Sequence, residues 1–328
     1  MLLDFVKQTL RPIAAVILGV GLLTNPAAAQ NYPTRAVKVV VPFPAGGAMD
    51  VATRILVSGM EPALRVPLVV ENRPGASGNI GTVQVAQSPP DGHTLLLGIA
   101  ANTSINRFLY KTLPFDVDRD LVPVAQFGSS TNVIYVAPSF PAADFGQMVR
   151  RLKVAPGRES YVTPGIGTTP HLAMELVKKR TRTFVVHVPF RGSSAAVAAV
   201  LGGEASIGVD AVIAVAPSIR SGRLRAIAIT GVERSSVLPD VPTLRELGVD
   251  IDASTYLGIF APAKTPPAVV EQLAGEIESA LRKEGVGNKL REAGIEPTYG
   301  SSPRFAERIR KELPLWEEAV SYSGASHF

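Results

Sequence analysis

The sequence predicts an α/β protein of two lobes around a central cleft. Three observations lead there. Short β-branched runs alternate with amphipathic helices, the alternation occurs as two similar series, and Gly/Pro-rich loops recur where a run gives way to a helix. With 328 residues, 46% of them hydrophobic, the chain can fill one large domain or two medium ones and is too apolar to be disordered. It has no cysteine, which excludes a disulfide scaffold, a thiolate metal site and a cysteine nucleophile.

Residues 1–29 read as a signal peptide. Lys7 and Arg11 form a basic start, Ile13 to Leu23 is an apolar run, and Asn25-Pro26 break it. Ala27-Ala28-Ala29 supply the small residues that a signal peptidase needs before Gln30. The apolar run falls short of the ~20 residues that span a bilayer, so export with cleavage after Ala29 is expected rather than anchoring. The mature protein is then periplasmic. Its basic residues are scattered and its aromatics few, so no nucleic acid partner is expected.

The elements follow in order. Residues 36–41 (AVKVVV) read as a buried strand, and 49–64 repeat apolar residues at helical spacing. A strand at 68–70, a helix at 79–87 and a strand at 94–98 complete a series that predicts a mostly parallel sheet with helices on both faces. The second series has strands at 133–137, 184–187, 205–209 and 224–229. Its helices are 145–154, 168–180, 193–201 and 211–221. A strand at 256–261 and helices at 267–284, 287–293 and 303–320 close the chain. The division expected is residues 30–130 in lobe 1, 131–254 in lobe 2 and 255–328 returning to lobe 1. The crossings would lie at 122–127 or 133–137, and at 256–261.

In parallel α/β sheets, ligands sit where strands run out into helices. Four loops qualify. In Pro42–Asp50, after Phe43, the pair Gly46-Gly47 can turn amides outward at a helix start, which favours an anion. The plainer reading is a tight turn with Asp50 as its cap. Asn72–Gly81 repeats the pattern around Ser77 and Gly78. It is neither a Walker A loop nor a GxSxG elbow. In Thr163–His171, Gly167 precedes Thr168, a candidate N-cap or ligand contact, and His171 either bonds a neighbouring loop or meets the ligand. In Val188–Ser194, Arg191 either pairs with a carboxylate or is an ordinary surface arginine. Asp210 ends a buried-looking strand and either caps the next helix or bonds a ligand. The histidines lack metal-ligand spacing, so no metal and no cofactor is expected.

These loops also carry a resemblance. YPTRAVKVVVPFPAGGAMD, ENRPGASGNIG, SPPDGHTLLLG, LPFDVDRDLVPVA, PGIGTTPHLAMEL, VPFRGSSAAVAAVLGGEAS, SGRLRAIAITG, ERSSVLPDVPTLRELG and GIFAPAKTP stand in this order. The chain resembles the periplasmic solute receptors of tripartite tricarboxylate transporters, the Bug-type receptors, from about Tyr32 to Val320. The resemblance implies a class II periplasmic-binding-protein fold whose lobes close on a small organic carboxylate. It implies a monomer that delivers its solute to membrane permease subunits or to a sensor kinase, and that is not an enzyme. Carried over by position, it implies ligand contacts from Phe43, Gly46, Gly47, Asp50, Ser77, Gly78, Asn102 and Thr103 in the first lobe. The second lobe would supply Thr163, Gly167, Thr168 and His171, with Arg191 and Asp210 at the rim. The chain departs from the usual pattern at Ala45, at Val162-Thr163-Pro164, at Arg191 and at Ala195. Pro164 removes a backbone N–H from the third loop.

Two other functions compete. An exported hydrolase on a similar scaffold would need a base in the cleft, for which His171 is the candidate. A module that binds a partner protein would keep only a vestigial cleft.

Overall fold

The computed structural model describes residues 32–325. The signal peptide expected at 1–29 lies outside them. Eleven strands form two sheets: β1 (Val37–Val41), β2 (Leu68–Asn72), β3 (Thr94–Ile99), β4 (Leu121–Ser130), β5 (Asn132–Val136), β6 (Ser160–Thr163), β7 (Val186–Pro189), β8 (Ile207–Ala211), β9 (Arg225–Ile229), β10 (Thr255–Pro262) and β11 (Glu296–Ser301). The first sheet runs β11-β4-β10-β3-β1-β2 and the second β7-β6-β8-β5-β9.

Strand alternation explains how the first sheet is covered on both faces. Val37, Val39 and Val41 pack with Ala52, Leu56 and Met60 of the helix Ala48–Leu64. Val40 points the other way, into a core with Ile105, Phe260 and Phe305. A strand buried on both sides needs a continuous apolar run, and the sequence of β1 supplies one.

The sheets are mixed, not mostly parallel. β1 pairs in parallel with β2 and β3, and β6 with β7 and β8. β10 runs antiparallel to β3 and β4, β11 to β4, and β5 to β8 and β9. The reason is the crossing between lobes. β4 and β5 are separated by Thr131 alone and lie in different sheets, so the chain leaves one lobe along β4 and enters the next along β5. The return along β10 again meets β3 head to tail. Two strands lacked a periodic signal. β6 has four residues, and β11 (EPTYGS) is a polar edge strand.

The crossing segments are stitched together. Thr230 N–H donates to the Asn132 carbonyl at 2.9 Å, and Ala253 N–H donates to the Thr230 carbonyl at 2.9 Å. The C-terminal helix Ser302–Ser323 packs on both lobes. Phe305 lies against Tyr256 and Phe260, and Glu318 pairs with Lys179 and Arg180 of the helix Thr169–Thr181.

Candidate functional site

The strand directions bring four loops to one place. Ile99, at the end of β3, stands opposite Leu257, and Thr255 stands opposite Ser130 beside the crossing. Asp210, at the end of β8, stands opposite Val133, two residues past Thr131. The C-terminal ends of β3 and β8 therefore both adjoin the crossing strands. The loops that follow them face each other across the junction of the lobes.

In the first lobe, Asp50 organises the loop after β1. It is 3% exposed. Its Oδ2 accepts the Gly46 N–H at 2.8 Å, and its Oδ1 accepts Asn72 Nδ2 at 2.9 Å. Arg54 Nε donates to both oxygens, at 3.0 and 3.1 Å. Burial pushes this carboxyl upward, but the hydrogen bonds from Arg54, Gly46 and Asn72 outweigh it and hold it below the usual carboxylate range. Asn72 Nδ2 also donates to the Phe43 carbonyl at 3.1 Å. The fold thus spends the Asp50 side chain on shaping its own loop. Gly46 and Gly47 stay exposed at the start of the helix, whose first-turn amides have no intrahelical acceptor.

The loop after β2 has the most unusual backbone. Gly75, Ala76, Ser77 and Gly78 all have positive φ, at 133°, 48°, 53° and 92°. Alanine and serine avoid this region, so the neighbours must impose it. Asn106 Nδ2 donates to the Ser77 carbonyl at 3.0 Å, and the Thr82 hydroxyl donates to the Gly78 carbonyl at 2.9 Å. The Gly78 N–H closes this turn on the Gly75 carbonyl at 3.0 Å, which leaves the exposed Ala76 and Ser77 N–H groups for an anion. A Cβ on Gly78 would stand 3.0 Å from Asn102 Cβ and 3.5 Å from Phe43 Cζ, so the three loops of this lobe touch there. Asn102 and Thr103 lie in a π-helical turn, Ala101–Ile105, that the polar sequence did not announce. Asn102 accepts the Ile99 N–H and donates to Thr82 Oγ1, both at 2.9 Å. The Thr103 hydroxyl bonds the Ile99 carbonyl at 2.7 Å and the Tyr256 hydroxyl at 2.6 Å. Both side chains serve the lobe interior.

In the second lobe, buried Thr163 places its Oγ1 2.7 Å from His187 Nε2. The Gly167 N–H donates to His171 Nδ1 at 3.1 Å, and the Thr168 hydroxyl donates to the Gly165 carbonyl at 2.8 Å. Thr168 occupies the N-cap position, but its hydroxyl does not cap. The Gly192 N–H donates to the Pro164 carbonyl at 3.0 Å, joining the third and fourth loops. Arg191 is exposed at the rim. Asp210 is 1% exposed and accepts the Ser193 hydroxyl and the Ala211 N–H on Oδ1, both at 2.8 Å.

A contact between the lobes completes the arrangement. A Cβ on Gly167 would come within 2.7 Å of Leu109 Cδ1, and the neighbouring Tyr110 hydroxyl donates to Ser77 Oγ at 3.3 Å. Ala76, Asn106, Tyr110, His187 and Ser193 were not singled out from sequence. Each acts through a partner more than fifteen residues away or through a backbone angle, and neither leaves a local signal. Cavities of about 670 and 550 Å³ open elsewhere, beside the helix Pro267–Leu281 and around residues 107–119. Neither gathers the amides, hydroxyls and left-handed backbone that the loop cluster does. Among the described residues, no group of three or more His, Cys, Asp or Glu could hold a metal ion.

Comparison with known proteins agrees with the fold. The family model described as the tripartite tricarboxylate transporter family receptor matches residues 52–324. Protein BugT of Bordetella pertussis is 33% identical over 95% of this chain and 97% of its own. The structure of R. palustris Rpa4515 with adipate is 30% identical, covering 90% of this chain and 100% of its own, with a TM-score of 0.78. MatC (Rpa3494) from Rhodopseudomonas palustris with bound malate is 28% identical, covering 88% and 100%, with a TM-score of 0.73.

Proposed function

The chain belongs to the tripartite tricarboxylate transporter receptor family, and from that premise we propose that it captures a small carboxylate or dicarboxylate in the periplasm and delivers it to a tripartite permease. The observation that carries the ligand class is the run of positive φ from Gly75 to Gly78 opposite the loops of the second lobe. Backbone amides and hydroxyls hold a carboxylate without the desolvation cost of a second buried charge. The adipate of Rpa4515 and the malate of MatC are ligands of this chemistry.

In this reading the ligand meets the amides of Ala76 and Ser77 and those of the first helical turn after Gly47, with Phe43 beside them and Thr168 and Arg191 across the cleft. The Gly46, Gly47 and Gly78 amides are held by Asp50, Pro44 and Gly75 and shape the loops. Asp50, Asn102, Thr103, Thr163, Gly167 and His171 hold those loops in shape. Closure of the lobes about the crossing strands traps the ligand and presents a surface to the permease. Export proceeds by cleavage after Ala29, and the receptor works as a monomer.

A hydrolase is disfavoured by His171 itself. The ring is 3% exposed and its Nδ1 is occupied by the Gly167 amide, so it is not a base open to substrate.

A thermal-shift screen with malate, adipate, amino acids and aromatic acids tests the reading. A ligand at 100 times its Kd stabilises by about 2.7 kcal/mol. No shift with any of them would remove the support for a carboxylate receptor. Small-angle scattering should show a smaller radius of gyration at saturation, and an unchanged radius would rule out closure.

A further inference from the structure

The hydrogen bonds of the site leave one group only half accounted for. Asp210 Oδ1 accepts from Ser193 and Ala211, but Oδ2 is buried with no protein donor. No cation favours its charge. The groups around it are uncharged or distant. Tyr135 on β5 has its own hydroxyl buried without a partner, and the charge of Asp210 helps to push that phenol upward. The helix Ser193–Leu201 carries no charged residue. The helix Val212–Arg220 carries only Arg220, at its far end, bonded to the Val237 carbonyl. Arg191 is exposed, and His187 is engaged with Thr163. An anionic oxygen buried without a donor is costly, whereas a neutral carboxyl leaves only a weak acceptor unmade.

The state of Asp210 decides what Ser193 can offer. Ser193 is the first residue of its helix, in the fourth loop. With Asp210 ionised, the Ser193 hydrogen is spent on Oδ1, and the hydroxyl can turn only lone pairs toward the cleft. Lone pairs repel a carboxylate. A proton on Oδ1 reverses the bond. Asp210 then donates to Ser193 Oγ, and the Ser193 hydrogen is free for the ligand. The Ala211 N–H keeps a second lone pair on Oδ1.

We propose that each anionic ligand binds together with one proton held on Asp210, and that this proton turns Ser193 into a donor for the ligand. The proposal rests on the carboxylate-receptor reading. Burial pushes the Asp210 carboxyl up to about 6, against its two hydrogen bonds, which puts the exchange near neutral pH. Affinity then weakens about tenfold per pH unit above that value.

Infrared spectroscopy of the ligand-free protein tests the proton alone. Glu312, raised to about 7, is also neutral at about pH 5, so the band of Asp210 is read as the carbonyl stretch that remains in the difference between wild type and Asp210→Asn, and it should be retained in Ser193→Ala. Its absence from that difference overturns the proposal. Calorimetry with malate and with adipate, in buffers of different ionisation enthalpy, tests the coupling. Uptake approaching one proton per anion at about pH 7.5 is expected. Asp210→Asn, whose amide nitrogen donates to Ser193 Oγ at the cost of the Ala211 N–H bond, should bind without pH dependence, and Ser193→Ala should lose the pH slope while keeping the infrared band. Wild-type binding that takes up no proton and ignores pH overturns the coupling. If neither anion binds, the receptor reading fails for these probes and the coupling with it. The infrared band still decides whether Asp210 holds a proton.

Discussion

The imidazoles of His171 and His187 stack inside the second lobe, with centroids 4.0 Å apart and planes 16° from parallel. Tyr161 stacks on His187 in turn, at 4.7 Å, and its hydroxyl bonds Glu175, which Lys178 neutralises at 2.7 Å. This column joins β6, β7 and the helix Thr169–Thr181, and its two ends hold ligand loops. His171 anchors the Gly167 amide and His187 anchors Thr163. His171 must stay neutral to do this. A protonated His171 has no lone pair for Gly167.

Replacement of His171 by alanine should therefore act at a distance. It leaves the Gly167 amide without its acceptor and opens a space among buried rings. A loss of about 2–4 kcal/mol in urea unfolding is expected, with weaker binding of whichever carboxylate the wild type takes. Unchanged stability would mean that the column is not a support.

The pH dependence follows from two opposed sets of groups. Burial pushes His171 and His187 down to about 4; Lys178 lowers both further, and His171 lowers His187 against an upward pull from Glu175. Both lie below the unfolded value, so their contribution is whole above about pH 6.5 and is lost as pH falls toward 4. Burial raises Asp210 to about 6 and Glu312 to about 7. These lie above the unfolded values, so their contribution is whole at low pH and is lost as pH rises through 6 to 7. Ion-paired Glu71, Asp120 and Glu318, held down at about 2, add a further loss on acidification below about pH 5, so the slopes nearly cancel between about pH 5 and 6. Thermal unfolding of the wild type should be flat across this window. Asp210→Asn removes one opposing contribution, so that variant should lose stability on acidification. Parallel profiles for the two proteins would contradict the assignment.

Gly167→Ala should cost about 1–2 kcal/mol. Part is backbone strain at φ 73°, and part is the approach to Leu109 Cδ1. Leu109→Ala should relieve the second part and not the first. A double-mutant cycle on denaturant unfolding reads the difference. Strict additivity would show that the two residues do not meet in solution.

Asp50→Ala should loosen the first loop, leaving the Gly46 N–H and the Asn72 amide without their acceptor, at a cost of about 1–3 kcal/mol. Asp50→Asn keeps one acceptor and should cost less. Hydrogen exchange at Gly46 reports the loop directly: faster exchange in Asp50→Ala is expected, and an unchanged rate would separate Asp50 from the loop.

Much of the fold was legible because helices and buried strands are written locally. The periodicity predicts the helices Phe145–Val154 and Ser193–Leu201 with the ends that the structure shows. The four loops were legible for a similar reason, since glycine and proline mark where a strand must turn into a helix. The direction of β4, β5 and β10 was not legible, because a strand's own residues do not say which neighbour it will meet.

The site divides along the same line. By itself the sequence determined which loops carry glycines, hydroxyls and helix starts, for these are properties of adjacent residues. Only the tertiary structure decided what each side chain does there. Asp50 turns inward to Gly46 and Asn72, His171 stacks on His187, and Asp210 on β8 meets Ser193 at the start of a helix. Apart from the Asp50–Gly46 bond, those partners lie 16 or more residues apart in the chain. Local periodicity has no reach over such distances, whereas packing two sheets against a shared crossing brings them within a hydrogen bond.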